Sequence, residues 1–129
     1  MAIIETRNLT YTYSGGTRPS ISDVSIGIEK GEFTLITGPS GCGKTTLCRT
    51  FNGLIPHFYH GEMKGEINAA GFNVSEHQIH ELAEHVGLVF QNPENQLFAL
   101  SVEKDVAFGL ENLGVAREEM RKKVEWALN

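Results

Sequence analysis

The sequence has little of what marks a secreted, membrane-spanning or nucleic-acid-binding chain. It carries only two cysteines in 129 residues, Cys42 and Cys48. Six residues apart, they give neither a metal-ligand pair nor a disulfide framework, and a reducing cytosol suits them. The apolar runs are a few residues long, far short of the roughly 20 that a spanning helix needs. Direct membrane insertion is therefore not expected, and any link to a membrane must go through a partner. The opening Met1-Ala2-Ile3-Ile4-Glu5 lacks the basic and apolar blocks of a signal peptide. Basic residues are outnumbered, 11 Lys and Arg against 16 Asp and Glu, for a formal charge of -5. Proteins that displace counterions from nucleic acid usually show the opposite balance, so no nucleic-acid partner is expected. Internal repeats, low-complexity tracts and linkers are missing too. The 40% hydrophobic content is enough for the core of one domain.

The first third reads as β. Residues 3–9 form a strand, Ser14-Gly15-Gly16 a turn, and alternating Val24, Ile26 and Ile28 a second strand that closes at Glu29-Lys30-Gly31. Such alternation implies an antiparallel sheet with one wet face. Phe33-Thr34-Leu35-Ile36-Thr37 is a short β-branched run entering a glycine loop, and Leu47, Phe51, Leu54 and Ile55 then recur at helical spacing. Residues 61–68 resemble another antiparallel strand, and 78–84 a short helix. Val86-Gly87-Leu88-Val89-Phe90 is apolar on both faces, as expected of a strand in a covered parallel sheet. Beyond it, Ser101 is an N-cap with Glu103 and Asp105 in the first turn, and Val102, Val106 and Leu110 share one face. A last helix carries the stripe Met120, Val124, Ala127 and Leu128. Its Arg117, Arg121, Lys122 and Lys123, alternating with glutamates, read as a solvated face.

The glycine loop carries the chemistry. Gly38-Pro39-Ser40-Gly41-Cys42-Gly43-Lys44-Thr45 fits the P-loop pattern of two glycines bracketing four residues, then lysine and a hydroxyl. Glycines let the backbone take positive φ and approach an anion closely, and the following helix adds its positive end. Lys44 is expected to reach the β- and γ-phosphates. The Thr45 hydroxyl is expected on Mg²⁺, and Thr46 closes the nucleotide-binding run. Cys42 occupies a variable position and reads as filler. His57 and His60 lie in one loop, but no Cys or carboxylate cluster completes a metal set. Gln91 ends the presumed parallel strand, the side of an open α/β sheet where ligands bind; the bland alternative is a surface glutamine opening a turn before Pro93.

Tyr11 and Tyr13 in the N-terminal β segment, a buried strand ending in Gln91 and helices soon after it resemble the nucleotide-binding subunit of ABC transporters. The resemblance covers essentially the whole chain. It implies that Tyr13 stacks on adenine, the alternative being a core or cross-strand aromatic. It also implies that Gln91 closes on Mg²⁺ and the attacking water, so that Lys44 and Gln91 serve catalysis and Thr45 and Gln91 the metal. The run Val89-Phe90-Gln91-Asn92-Pro93-Glu94-Asn95-Gln96-Leu97-Phe98, followed by Asp105-Val106-Ala107-Phe108-Gly109, is similar to the energy-coupling-factor type, which drives uptake of vitamins, cobalt or nickel. Gly53-Leu54-Ile55-Pro56 fits as well. Ala70-Gly71 departs from it, since an acidic residue often precedes that hairpin glycine, and the turn type is open there.

The implied fold is α/β: a P-loop NTPase core with a partial parallel sheet (33–61 and 76–91), an antiparallel β-subdomain (1–32 and 62–75), and the start of a helical subdomain (92–129). The implied ligands are ATP and Mg²⁺. The implied partners are a second ABC ATPase subunit and a transmembrane component, with the chain in the cytoplasm on the inner face of the membrane. No Leu-Ser-Gly-Gly-Gln signature, no second apolar strand ending in aspartate and glutamate and no switch histidine occur before Asn129. The chain is thus expected to be the N-terminal part of an ATPase, binding nucleotide while turning it over weakly or not at all. An unpaired sheet edge and uncovered apolar faces are expected to favour self-association. The competing reading is a complete, non-hydrolysing nucleotide-binding or regulatory module. A small P-loop kinase would need lid arginines, and only Arg49 lies in the helix after the loop.

Overall fold

The computed structural model describes residues 2–129; Met1, with which the expected β-subdomain opens, lies outside them. The chain divides into two compact units, Met1–Leu88 and Val89–Asn129.

The first unit is built on strands β1 (Ala2–Tyr13), β2 (Ile21–Glu29), β3 (Gly61–Ala69) and β4 (Phe72–Asn73). They form one sheet in the order β2-β1-β3-β4, antiparallel throughout. Strand β1 changes parity along its length. Ile4 and Thr6 face inward in its first half, then Leu9, Tyr11 and Tyr13 do so in its second. Since side chains alternate with period two, such a switch requires one extra residue. Asn8 supplies it: its φ is 49°, and the register with both neighbours shifts there. The freed groups are satisfied locally. The Thr6 hydroxyl donates to the Val24 carbonyl (2.9 Å) and accepts from the Ile26 amide (3.1 Å). The Asn8 amide donates to Ser25 Oγ (2.8 Å), and its side chain to Asp23 (2.8 Å). Across the ladder stands Gly65, where a Cβ would collide with the backbone of Arg7 and Asn8.

Helix α1 (Lys44–Phe51) buries Thr46, Leu47, Thr50 and Phe51. With Leu9, Tyr11, Ile21, Ile67 and Ala69 from the strands, Leu47 and Phe51 belong to one buried cluster. The helical spacing predicted a continuation through Leu54 and Ile55, but α1 stops at Phe51. Gly53 takes φ 84°, and Pro56, which has no amide hydrogen to donate, follows. The chain instead makes a wide helical turn, Leu54–Phe58, that still buries Ile55 completely. Helix α2 (Ile79–Leu82) is held by a reciprocal cap between Gln78 and Glu81 and plugs the cluster with Leu82. The β3–β4 hairpin turns through Ala70 (φ 51°) and Gly71 (φ 85°). Two positive φ values are the geometry Asp-Gly favours, so Ala70 adopts it under strain.

The α/β class holds, with an antiparallel β-subdomain and helices. The partial parallel sheet is a correction: among the described residues neither 33–37 nor 86–90 enters a ladder. A β-branched or apolar run becomes a strand only when a neighbour pairs its backbone groups, and no other segment pairs with either run. Ile36 and Val86 still pack against the core cluster, but Phe33 and Leu35 stay outside at 94% and 78% exposure.

In the second unit a 3-10 turn (Pro93–Gln96) precedes α3 (Val102–Asn112) and α4 (Arg117–Leu128). Ser101 caps α3 as expected, its hydroxyl accepting from the Lys104 amide at 3.3 Å. The Asp105 carboxylate accepts from the Phe98 and Ala99 amides (3.4 and 3.2 Å) and so ties the preceding loop to the helix. Ala107 and Val124 are buried. Of the expected α4 stripe, Met120 is half-buried, but Ala127 and Leu128 lie exposed. The basic residues of α4 form a solvated face, with Lys123 paired to Glu119 at 3.4 Å.

Candidate phosphate-binding site

The loop from Gly38 to Gly43 turns the chain into α1. Gly41 (φ 80°) and Gly43 (φ 104°) take left-handed conformations that L residues avoid. Space constrains them unequally. A Cβ on Gly41 would meet nothing, whereas one on Gly43 would strike the Ser20 carbonyl and stand 2.9 Å from Ile21 Cγ2. Gly43 is also the N-cap of α1, so no side chain caps this helix, and its first turn carries no acidic residue. The leading amides of a helix lack intrahelical acceptors, and here nothing from the cap replaces them. The result is a bare, electropositive helix start, the arrangement that receives phosphate.

Lys44 lies across this loop. Its ammonium donates to the Gly38 carbonyl (2.6 Å) and the Pro39 carbonyl (2.9 Å) and stands 3.6 Å from Cys42 Sγ. The cation is thus fixed over the loop by neutral carbonyls, which phosphate oxygens can replace with a gain in charge pairing. Cys42 is more than filler: a Cβ on Gly38 would come within 2.7 Å of its sulfur, so the thiol covers that glycine. Pro39, Ser40 and Thr45 are exposed. The residues suit Mg²⁺-nucleotide, because the uncapped amides and the Lys44 ammonium could receive an anion while the exposed Thr45 hydroxyl could ligate a hard cation.

Thr46 does not face outward. Its side chain is buried, and its hydroxyl lies 3.0 Å from the Tyr13 hydroxyl. Tyr13 also accepts from Arg49 Nη1 at 3.0 Å. Since arginine only donates, the Tyr13 oxygen accepts from Arg49 while its own hydrogen is free for Thr46. The ring is half-buried and meets Tyr11 edge to face (4.9 Å, 85°) and Tyr59 likewise (6.1 Å, 89°). The Arg49 guanidinium sits 4.3 Å from the centre of the Tyr59 ring, and the Tyr11 hydroxyl donates to the Tyr59 carbonyl (2.8 Å). Gly61 permits that last contact, for a Cβ there would crowd the Tyr11 hydroxyl at 2.7 Å. Burial pushes the Tyr11 hydroxyl above the ordinary phenol value and Tyr13 adds to this, while Arg49 opposes it. Burial likewise raises the Cys48 thiol.

The structure therefore brings Tyr13 to the P-loop helix through Thr46. Gln91 belongs to the second unit, exposed at a bend before the Pro93–Gln96 turn. Among the described residues no cluster of His, Cys, Asp or Glu suits a metal. His57 is structural, its Nε2 2.8 Å from the Val74 carbonyl, and His60 is exposed. Arg49 and Tyr59 were not legible as site residues. The one available signal was that Thr46 and Arg49, three apart on a helix, share a face.

The ABC transporter family profile matches residues 21–129. A Pyrococcus abyssi protein named as an ABC transporter ATP-binding protein is 52% identical over 128 residues, covering 99% of this chain and 46% of its own length. One from Methanosarcina acetivorans is 52% identical over 126 residues, covering 98% of this chain and 20% of its own. This chain thus spans about half or less of the curated relatives it matches. Among solved structures, cbiO1 of Clostridium perfringens, described as part of the ABC transporter complex cbiONQ, superposes with a TM-score of 0.82. It is 37% identical, with 98% of this chain and 49% of that one covered. An ATP-binding cassette solved as a dimer in a post-hydrolysis state with ADP and Pi gives a TM-score of 0.74 at 27% identity, with 97% and 55% covered. No helix among the described residues is long and apolar enough to cross a membrane.

Proposed function

Because the chain belongs to the ABC transporter family, we propose that the loop from Gly38 through Gly43, with Lys44, Thr45 and the Thr46 amide, holds the triphosphate of Mg-ATP. The observation that carries this reading is the Lys44 ammonium held on the Gly38 and Pro39 carbonyls above an uncapped helix start. On binding, the ammonium exchanges those carbonyls for β- and γ-phosphate oxygens, and the helix amides take the remaining charge. Thr45 offers its hydroxyl to Mg²⁺, Gln91 serves the metal and the attacking water, and Tyr13 stacks on the base. Bound Mg-ATP supplies the transferable phosphoryl group and the metal's charge; this chain's residues position and neutralise it.

In this reading residues 1–32 and 62–75 are the β-subdomain, 33–61 and 76–91 the P-loop core, and 92–129 the start of a helical subdomain. The chain is part of an ATPase that energises an importer of a metal ion or vitamin, of the energy-coupling-factor type. Support comes from the run 89–109 and from the likeness to cbiO1, described as part of a transporter complex. Its partners are a second ATPase subunit, in keeping with the dimeric cassette it resembles, and a transmembrane component that holds it at the cytoplasmic face. Alone, these residues bind nucleotide and hydrolyse it poorly.

Lys44→Ala tests the site. Titration calorimetry should show ATP affinity falling by on the order of tenfold or more, as for loss of a charge-assisted contact, with circular dichroism unchanged. Equal ATP affinity in both forms removes Lys44 from the site.

A further inference from the structure

We propose that Arg49 is a positioning residue for the nucleobase: clamped between the Tyr13 hydroxyl and the Tyr59 ring, it fixes the ring on which the base stacks. The proposal rests on the reading of Tyr13 as the stacking residue and adds to it a device that holds the ring in place. Tyr13 is the last residue of β1, where a side chain has fewest neighbours to restrain it. Its ring is nonetheless held by four partners. The hydroxyl accepts from Arg49 Nη1 (3.0 Å) and pairs with Thr46 on α1 (3.0 Å), and the ring packs edgewise against Tyr11 and Tyr59.

Arg49 is itself held by its 4.3 Å approach to the Tyr59 ring, a cation–π contact at a half-buried site. Its Nε is buried with no hydrogen-bond partner. Keeping that one donor buried and unpaired on a half-buried guanidinium is costly, so the residue is not what packing alone would select. Tyr59 comes from the segment Pro56-His57-Phe58-Tyr59-His60, to which the phosphate site assigns no role. That segment is pinned by the Tyr11 hydroxyl on the Tyr59 carbonyl and by His57 on the Val74 carbonyl. Base end and phosphate end are thereby joined through one helix: α1 starts at Lys44, bonds Tyr13 at Thr46 and clamps it at Arg49. A ring ordered before the nucleotide arrives spares binding the cost of ordering it.

The test compares ATP with inorganic tripolyphosphate, which has the charge and no base, by titration calorimetry on the whole chain. Arg49→Ala should weaken ATP about fivefold, less than loss of the stacking ring itself, and leave tripolyphosphate unchanged. Tyr13→Phe keeps the ring and removes its oxygen from both partners, so it should give the same selective loss while leaving the Arg49 side chain in place. The double variant should lose less than the sum of the two single losses, because both remove the Arg49–Tyr13 bond. Arg49→Lys, which keeps a cation and a donor, should recover part of the ATP affinity. Parallel loss of both ligands overturns the proposal by making Arg49 a support of the loop or fold, and additive losses overturn it by separating Arg49 from Tyr13. If Tyr13→Ala weakens ATP but Arg49→Ala and Tyr13→Phe do not, base stacking stands and the clamp falls. If Tyr13→Ala is also silent, the base reading falls and the clamp with it.

Discussion

Replacing each of two loop glycines by alanine separates backbone strain from steric collision within one site. Both glycines take positive φ, 80° at Gly41 and 104° at Gly43, so both alanine variants meet the left-handed penalty of about 1–2 kcal/mol. Each also gains back about 0.4–1 kcal/mol, because alanine leaves the unfolded chain fewer conformations to lose. Gly41→Ala should therefore cost only about 1 kcal/mol, since its added methyl group meets nothing within 4 Å. Gly43→Ala drives that methyl group against the Ser20 carbonyl, backbone just ahead of β2, and to 2.9 Å from Ile21 on β2. Overpacking of this kind adds about 1–3 kcal/mol, for a total of roughly 2–4. Urea unfolding followed by circular dichroism measures both, with the difference appearing as a lower midpoint at constant slope. On a unit of this size each kcal/mol is worth about 4–8 °C of Tm, so the two variants should differ by about 5 °C or more. Equal destabilisation, or a milder effect at Gly43, refutes the assignment of the Gly43 contact. The same variant should weaken ATP binding, because relief of the clash moves the start of α1.

Ala70→Asn should raise stability by about 0.5–1 kcal/mol in the same assay, since asparagine accepts the φ of 51° that alanine resists. Tyr11 and Cys48 both have folded values raised above their ordinary ones, chiefly by burial. The stability they contribute is fully present below the ordinary thiol value of about 8.5 and is lost as pH rises past it and then past the ordinary phenol value of about 10. Urea midpoints should fall across that window, and Cys48→Ala should flatten its lower part. Phe33 and Leu35, 94% and 78% exposed, should drive self-association. Sedimentation velocity should show species larger than the 14.2 kDa chain that shrink in a Phe33→Glu, Leu35→Lys variant; a wild-type monomer would contradict this.

What could be read from the sequence was what short-range rules specify. The P-loop glycines, the Ser101 cap and the alternation of Val24, Ile26 and Ile28 each depend on neighbours within a few positions. The unread parts depend on residues far apart in the chain. Arg49 meets Tyr13 across 36 positions and stacks on a ring in a segment whose histidines raised a metal site only to have it set aside for want of further ligands. The parity switch at Asn8 shows in no local propensity, because Gly65 accommodates it from the opposite strand. Runs 33–37 and 86–90 have strand composition, yet composition does not supply the partner that a ladder needs.

The kink at Asn8 makes tolerance to insertion and deletion unequal along a single strand. A residue gained or lost ahead of it would shift the register of Ile4 and Thr6 while leaving Leu9, Tyr11 and Tyr13 in place. The same edit between Leu9 and Tyr13 would rotate the Tyr13 ring to the outer surface and part its hydroxyl from Thr46 and Arg49, with the loop from Gly38 to Gly43 untouched. Homologous chains should therefore vary in length before the kink and hold an invariant count after it.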